Sequence, residues 1–247
     1  MCLILFSYQP NSDKRLWLAA NRDEFHQRAA MPARIWPQQP AIIAGQDLQA
    51  GGTWLGITRQ GRFAAITNYR KPNSAEGTIS RGALCADFLS SDISCLDYLS
   101  QIQQHKNHYS GFNLLLDDGN DFYYYSNTQN QITKLVAGYY SLSNAFLNTP
   151  WPKTTGGINA LKYAQSHDDL INLLMDKSLP PDIELPNTDI GIATERLLAP
   201  RFIQSEQYGT RASTALSIGK EILLKERGFN AAGEISHDIE LRFKPEY

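Results

Sequence analysis

Residues 1–25, MCLILFSYQPNSDKRLWLAANRDEF, decide how the chain is read. Leu3 to Tyr8 and Leu16 to Ala20 are strand-like runs, and the polar, turn-favouring Asn11-Ser12-Asp13-Lys14 between them predicts a hairpin. An antiparallel hairpin carries the end of its second strand back to the start of its first. Asn21, Arg22, Asp23 and Glu24 therefore return beside Cys2, the residue directly behind Met1. A small side chain at Cys2 permits removal of Met1. The new terminus would then hold a thiol and a free α-amine on one residue. An α-amine titrates near 7.7–8.0 and a free thiol near 8.5, so the amine is placed to accept the thiol proton without help from a histidine. The plainer reading of Cys2 is a small buried thiol that opens a strand.

Beyond the hairpin, the charged and proline-bearing segment 21–40 predicts a loop. A second hairpin, TWLGIT (53–58) and RFAAIT (62–67), turns at Gly61, and a polar loop, KPNSAEGT, follows at 71–78. Apolar spacing from Arg81 to Gln104 suits two helices broken at Ser90-Ser91-Asp92. Strands are expected at GFNLLLDD, DFYYYSN, ITKLVA and YYSLSNA, and a helical block at 155–178. Glu195-Arg196-Leu197-Leu198 is an ambiguous stretch, and STALSI, EILLKER and ISHDIELRF close the chain as strands. Hairpin-linked strands interrupted by two helical blocks predict an α+β fold: a four-layer αββα sandwich of two largely antiparallel sheets, in a single domain over 1–247.

Composition narrows function. With 19% charged residues, a net charge of -2 and no long single-sign run, no nucleic-acid or membrane-surface partner is indicated. No apolar stretch approaches the roughly 20 residues of a membrane span, and the first residues do not form a secretory signal. Three cysteines, an odd number without a C-x-x-C pair, fit reduced thiols and a cytoplasmic location. The five histidines lack metal-ligand spacing, and Walker, Rossmann and G-x-S-x-G patterns are absent.

The ordered motifs MC (1–2), AANRDE (19–24), AGQD with GGTWLGIT (44–58), AAITNYR (64–70), SRG (80–82), GFNLL (111–115), SN (143–144) with Pro150-Trp151 and Lys153, and YGTR (208–211) resemble the NRDE family, the transport and Golgi organisation protein family. The resemblance implies an N-terminal-nucleophile hydrolase-like fold and, more distantly, similarity to the choloylglycine and penicillin acylases. On that correspondence Cys2 matches their nucleophile. Asn21 and Asp23 match their Arg-Asn-x-Asp segment, Asn68 and Asn144 their strand-end asparagines, and Arg211 their late arginine. The pattern departs at Ala20, where the acylases carry an arginine; Arg22 and Arg211 are the candidates to replace it. Arg22, Glu24, Trp54, Arg70, Arg81 and Trp151 are the expected ligand contacts.

Two functions follow as expectations. The resemblance implies haem mobilisation or related lipid-ligand handling, with haem as cargo or acyl-CoA as ligand and aromatic walls drawn from Trp17, Trp36, Trp54 and Trp151. The alternative is hydrolysis of an amide or thioester by Cys2, with no cofactor required.

Overall fold

In a computed structural model, residues 2–72 and 77–246 are described; Met1, Asn73–Glu76 and Tyr247 lie outside the described residues. The Met1 removal expected above and the middle of the 71–78 loop therefore also lie outside them. The chain is α+β, with two antiparallel sheets and five α-helices among the described residues. It divides into two compact units that interleave along the sequence. The first holds the residues up to Gln27, Arg70–Pro72 and Ala137–Arg242; the second holds Arg28–Tyr69, the residues up to Val136, and those from Phe243 on.

The first unit is built on the opening hairpin. β1 (Cys2–Tyr8) pairs antiparallel with β2 (Lys14–Phe25), with Cys2 opposite Arg22 and Leu3 opposite Asn21. β2 runs five residues past the expected strand end, so Asn21-Arg22-Asp23-Glu24 is strand rather than loop. Its extension is held by a second neighbour, the twelve-residue β11 (Tyr208–Gly219), which contains the expected STALSI strand and whose pairing with β2 no local pattern announces. β10 (Gly138–Leu142) flanks β1 on the other side, and β12 (Ile222–Phe229) and β13 (Ile235–Phe243) complete the order β10-β1-β2-β11-β12-β13. Side chains alternate along a strand, so one face carries Leu3, Leu5, Ala19 and Ala215. These pack against Leu161, Leu170, Ile171 and Leu174 of α3 (Pro152–Leu161) and α4 (His167–Leu174). The single helical block expected at 155–178 is thus two helices. Gly157 permits the close approach of α3, because a Cβ there would stand 2.5 Å from Leu5 Cδ1. α5 (Ile192–Leu198) resolves the ambiguous stretch as a helix.

The second unit has the sheet order β3 (Ala30–Ile35), β4 (Ile43–Asp47), β5 (Leu55–Ile57), β6 (Phe63–Asn68), β7 (Phe112–Asp117), β8 (Phe122–Ser126), β9 (Gln131–Lys134). β3 falls within the segment expected as loop, and β4 was not anticipated. Gly61 sits in the β5–β6 turn with φ of 80°, the left-handed conformation expected of it. α1 (Arg81–Leu89) and α2 (Cys95–Gln104) break where the serines predict, and Ser94 caps α2 by accepting from the Asp97 amide. Phe88, Leu99, Phe112, Leu114, Leu116 and Tyr125 form an apolar core between these helices and the sheet. Among the described residues no helix is long and apolar enough to cross a membrane.

Candidate functional site

The open end of the first sheet gathers chemistry around Cys2. Cys2 is half-buried, whereas Cys85 and Cys95 are fully buried in the second unit. Because Cys2 and Arg22 are directly opposite, their side chains share the sheet face away from α3 and α4. Asn21 and Asp23 project from the helical face. Asn21 is 1% and Asp23 is 1% exposed, burial that demands partners for both.

Asn21 is fully engaged. Its Nδ2 donates to the carbonyls of Leu174 (3.1 Å) and Arg201 (2.7 Å), and its Oδ1 accepts from Ser213 Oγ at 2.6 Å. This amide ties β2 and β11 to the segment after α4. It is an anchor, with both donors spent on backbone. Asp23 Oδ1 accepts from Thr210 Oγ1 at 2.7 Å, and the same hydroxyl accepts from the Ile203 amide at 2.9 Å. Tyr208 OH donates to the Asp23 carbonyl at 2.9 Å. Between Thr210 and Ala212 the ladder with β2 slips by one residue, and Arg211 occupies the bulge. Arg211 Nη1 donates to the carbonyls of Phe25 (3.1 Å) and His26 (2.9 Å), which fixes the exit of β2.

On the other side of β1, Leu142 opposes Ile4, and continuing that register brings Ser143 and Asn144 alongside Leu3 and Cys2. Ser143 Oγ lies 3.1 Å from the Cys2 carbonyl and 3.3 Å from Asn144 Oδ1. The Asn144 carbonyl accepts from the Arg70 amide at 2.7 Å. Arg70 Nη1 then pairs with Glu195 Oε2 at 2.8 Å, the two side chains being 7% and 4% exposed. Glu195 Oε1 accepts from the Thr188 amide and hydroxyl at 2.8 and 2.6 Å. The Trp151 ring lies 5.0 Å from the Arg70 guanidinium carbon. A cavity of about 10 Å³, room for one water, is lined by Arg70, Trp151, Lys153 and Glu195 among others. Lys153 is buried, and its Nζ donates to the Leu198 carbonyl at 2.8 Å.

Burial governs the electrostatics. It pushes the Cys2 thiol up, and the nearby Asp23 charge pushes the same way while Arg22 opposes them. Burial also raises the Asp23 carboxyl, against the pull of Lys153, Thr210 and Arg22. Lys153 is lowered to about 8 by burial, with Arg70 adding and Asp23, Glu195 and Cys2 opposing. Tyr208 is held neutral by burial and by the charges of Asp23 and Cys2.

Of the residues expected from the sequence, Cys2, Asn21, Arg22, Asp23, Glu24, Asn144 and Arg211 meet at this sheet end, and Arg70 and Trp151 border it. Glu24 is half-buried, its Oε1 accepting from the Phe25 amide at 2.9 Å. Asn68, Trp54 and Arg81 belong to the second unit. There Asn68 ends β6, Trp54 packs on the apolar core, and Arg81 Nη1 donates to the Gly111 carbonyl at 3.2 Å. Trp36 is core as well, its indole donating to the Ala44 carbonyl. Trp17 lies six residues along β2 from Asp23, roughly 20 Å at about 3.3 Å per residue. Lys153, Glu195, Thr210 and Ser143 were not among the expected site residues. Pro150-Trp151-Pro152 does signal a helix start, and a lysine in that first turn faces the positive end of the helix dipole, an unfavourable place that marks Lys153.

The sequence profile of Transport and Golgi organisation 2 matches residues 1–227. The chain belongs to this family. The bovine Transport and Golgi organization protein 2 homolog is 34% identical over 244 residues, covering 88% of each chain. The Drosophila melanogaster Transport and Golgi organization protein 2 is 27% identical over 264 residues, covering 90% of this chain and 89% of its own. Among solved structures, the Caenorhabditis elegans N-acylethanolamine-hydrolyzing acid amidase ortholog is similar, with a TM-score of 0.49, 8% identity, and 87% of this chain and 92% of that one covered.

Proposed function

We propose that the open end of the first sheet is an acyl-transfer site with Cys2 as nucleophile, acting on a small amide or thioester. The observation that carries this reading is Asp23: a carboxylate 1% exposed, oriented by Thr210, next to the residue that opens β1. A buried anion there opposes a thiolate, so it has a use only if a cation comes between them. The α-amine exposed by removal of Met1 is that cation. Asp23 then holds the amine by a charge-assisted hydrogen bond.

The amine takes the thiol proton, and the thiolate attacks the substrate carbonyl carbon. The amine next gives the proton to the leaving nitrogen or sulfur, and the bond to it breaks to leave an acyl-Cys2 thioester. Water attacks that thioester with the amine as base, which releases a carboxylic acid and restores the thiol. In this reading Asn144 donates to the tetrahedral oxyanion; loss of one such donor typically costs about 3–4 kcal/mol in the transition state. Turnover on amide and thioester panels, measured beside intact mass, tests this reading. Loss of Met1 and loss of turnover in Cys2→Ala support it, and unchanged turnover in Cys2→Ala overturns it.

A second reading, haem or acidic-lipid carriage, is favoured by a different observation. Cys2 faces the same side as Arg22, its direct neighbour across the strand pair, so a thiol ligand shares a sheet face with a guanidinium of the kind that binds carboxylates. Absorbance titration with haem tests it; an unchanged Soret band in the wild type removes it. Free thiols at all three cysteines suit a reducing, cytoplasmic compartment.

A further inference from the structure

The sequence motif Tyr208-Gly209-Thr210-Arg211 opens β11, and Thr210 is its member directly opposite Asp23 in the β2–β11 pair. Both side chains are buried, on one face of the sheet. The direction of their contact is fixed from behind. Thr210 Oγ1 receives the Ile203 amide at 2.9 Å, and the Thr210 amide donates to the Ile203 carbonyl at 2.8 Å. A hydroxyl has one proton to give. With its oxygen already receiving an N–H, that proton goes to Asp23 Oδ1, 2.7 Å away. Thr210 is therefore a donor to Asp23 and not an acceptor from it. Ile203 is held in its turn: the neighbouring Phe202 amide donates to the Asp176 carbonyl at 2.9 Å, and Arg201 Nη2 pairs with Asp176 Oδ2 at 2.6 Å. Gly209 sets the closeness of this segment to β11. A Cβ there would stand 2.8 Å from the Ile203 carbonyl oxygen, nearer than packed atoms come.

We propose that Thr210 is a positioning residue of the Cys2 site, keyed by Gly209 and Ile203. Gly209 lets the Ile203 backbone approach, the Ile203 amide points the Thr210 hydroxyl, and the hydroxyl donates to the ionised Asp23 carboxylate. Turning the carboxylate would break that bond, so Asp23 is held in one orientation toward the α-amine that takes the thiol proton. This rests on the acyl-transfer reading and deepens it. Thr210 neither touches substrate nor moves a proton to it. A hydrogen bond to the charged form of a carboxyl favours that form, so the bond also helps keep Asp23 ionised. The charged and titratable groups around Asp23 are Arg22 beside it on β2, Cys2 on β1, Lys153 on α3 and Tyr208 on β11. Valine has the shape of threonine without the hydroxyl, and serine keeps the hydroxyl without the methyl group.

The test is a carbon-13 NMR titration of the Asp23 carboxyl on the folded full chain, its signal assigned with Asp23→Asn, beside the rate at which iodoacetamide alkylates Cys2 at neutral pH. The other two thiols are fully buried, and peptide mass assigns the modified residue. Thr210→Val should raise the Asp23 midpoint by about one unit, a tenfold change in its ionisation, and change the Cys2 rate severalfold. Thr210→Ser should keep both at the wild-type values, which a merely space-filling role for the side chain would not require. Thr210→Cys, of similar size with a weak S–H donor, should also raise the midpoint and gives the answer if the Val variant does not fold. An unmoved midpoint in Thr210→Val or Thr210→Cys, a shift of equal size in Thr210→Ser, or a Cys2 rate in Thr210→Val equal to that of the wild type overturns the proposal. Since no turnover is required, this result is separate from the Cys2→Ala assay that decides the acyl-transfer reading.

Discussion

The two units bury a sheet face under a pair of helices, yet they spend that burial differently. In the second unit the layer under α1 and α2 is hydrocarbon and aromatic ring, from Trp36 through Phe88 to Tyr125, and Arg62 enters it only by resting on the Phe88 ring at 4.1 Å and donating to the carbonyls of Phe88 and Ile93. In the first unit the layer under α3 and α4 is apolar for Leu3, Leu5 and Ala19, then turns polar at Asn21 and ionic at Asp23. Their cysteines follow the same division: burial and Asp118 hold Cys95 firmly as a thiol, while Cys2 is half-exposed among charges. A domain gains little stability from buried ion pairs that hydrocarbon of equal volume would not give. The first unit thus gathers its buried charges toward the sheet end where Cys2 stands, and the second unit fills the corresponding layer with apolar side chains.

Substitutions sharpen that contrast. Phe88→Ala should cost about 3–5 kcal/mol in denaturant unfolding, the range for deleting a fully buried ring, while the rate at which iodoacetamide alkylates Cys2 in the folded chain stays unchanged. A changed rate would break the contrast between the two units. Glu195→Ala strands Arg70 in a buried place and should cost roughly 3 kcal/mol or more, with the Cys2 alkylation rate changed as well. Asn21→Ala leaves the Leu174 and Arg201 carbonyls and Ser213 without their partner, a loss of about 1–3 kcal/mol expected in the same assay.

The next effect depends on pH. His167, beside Trp17 and 3.0 Å from Ser217 Oγ, is lowered by burial to about 4 from an unfolded value near 6.5. Between these values the unfolded chain binds the proton and the folded chain does not, so stability falls as pH drops from 6.5 to 4. Melting scans of His167→Gln should show a flatter slope across that window. The smallest effect is expected for Asp13→Ala. Its pair with Lys220 is exposed on both sides, 76% and 79%, and its loss should stay within about 0.5 kcal/mol.

The opening hairpin was legible in the sequence because alternation and turn chemistry are local. So were the serine break between α1 and α2 and the turn at Gly61. The extension of β2 through Phe25 was not, since a run of charged and amide residues reads as loop until β11 supplies the second ladder. β4 is short and Gly-containing, and the α3–α4 break lies in an ordinary polar stretch. At the site, Cys2 and Asp23 were legible from position and register. Arg70 was expected as a ligand contact, and its partner Glu195 is 125 residues away, a distance no local pattern spans. Lys153 belongs to the Pro150-Trp151 motif in the sequence, but only the fold shows that it is buried and donates to the Leu198 carbonyl 45 residues away.

The central claim is that Cys2 becomes acylated at a site its own α-amine and Asp23 prepare. Peptide mass spectrometry on the native protein, quenched in acid during turnover of an activated thioester, tests it most directly. The account predicts an acyl group on Cys2 of chains that have lost Met1, and a marked fall in that adduct in Asp23→Asn. Full turnover with no acyl group on Cys2, or equal acylation of chains that retain Met1, would contradict it.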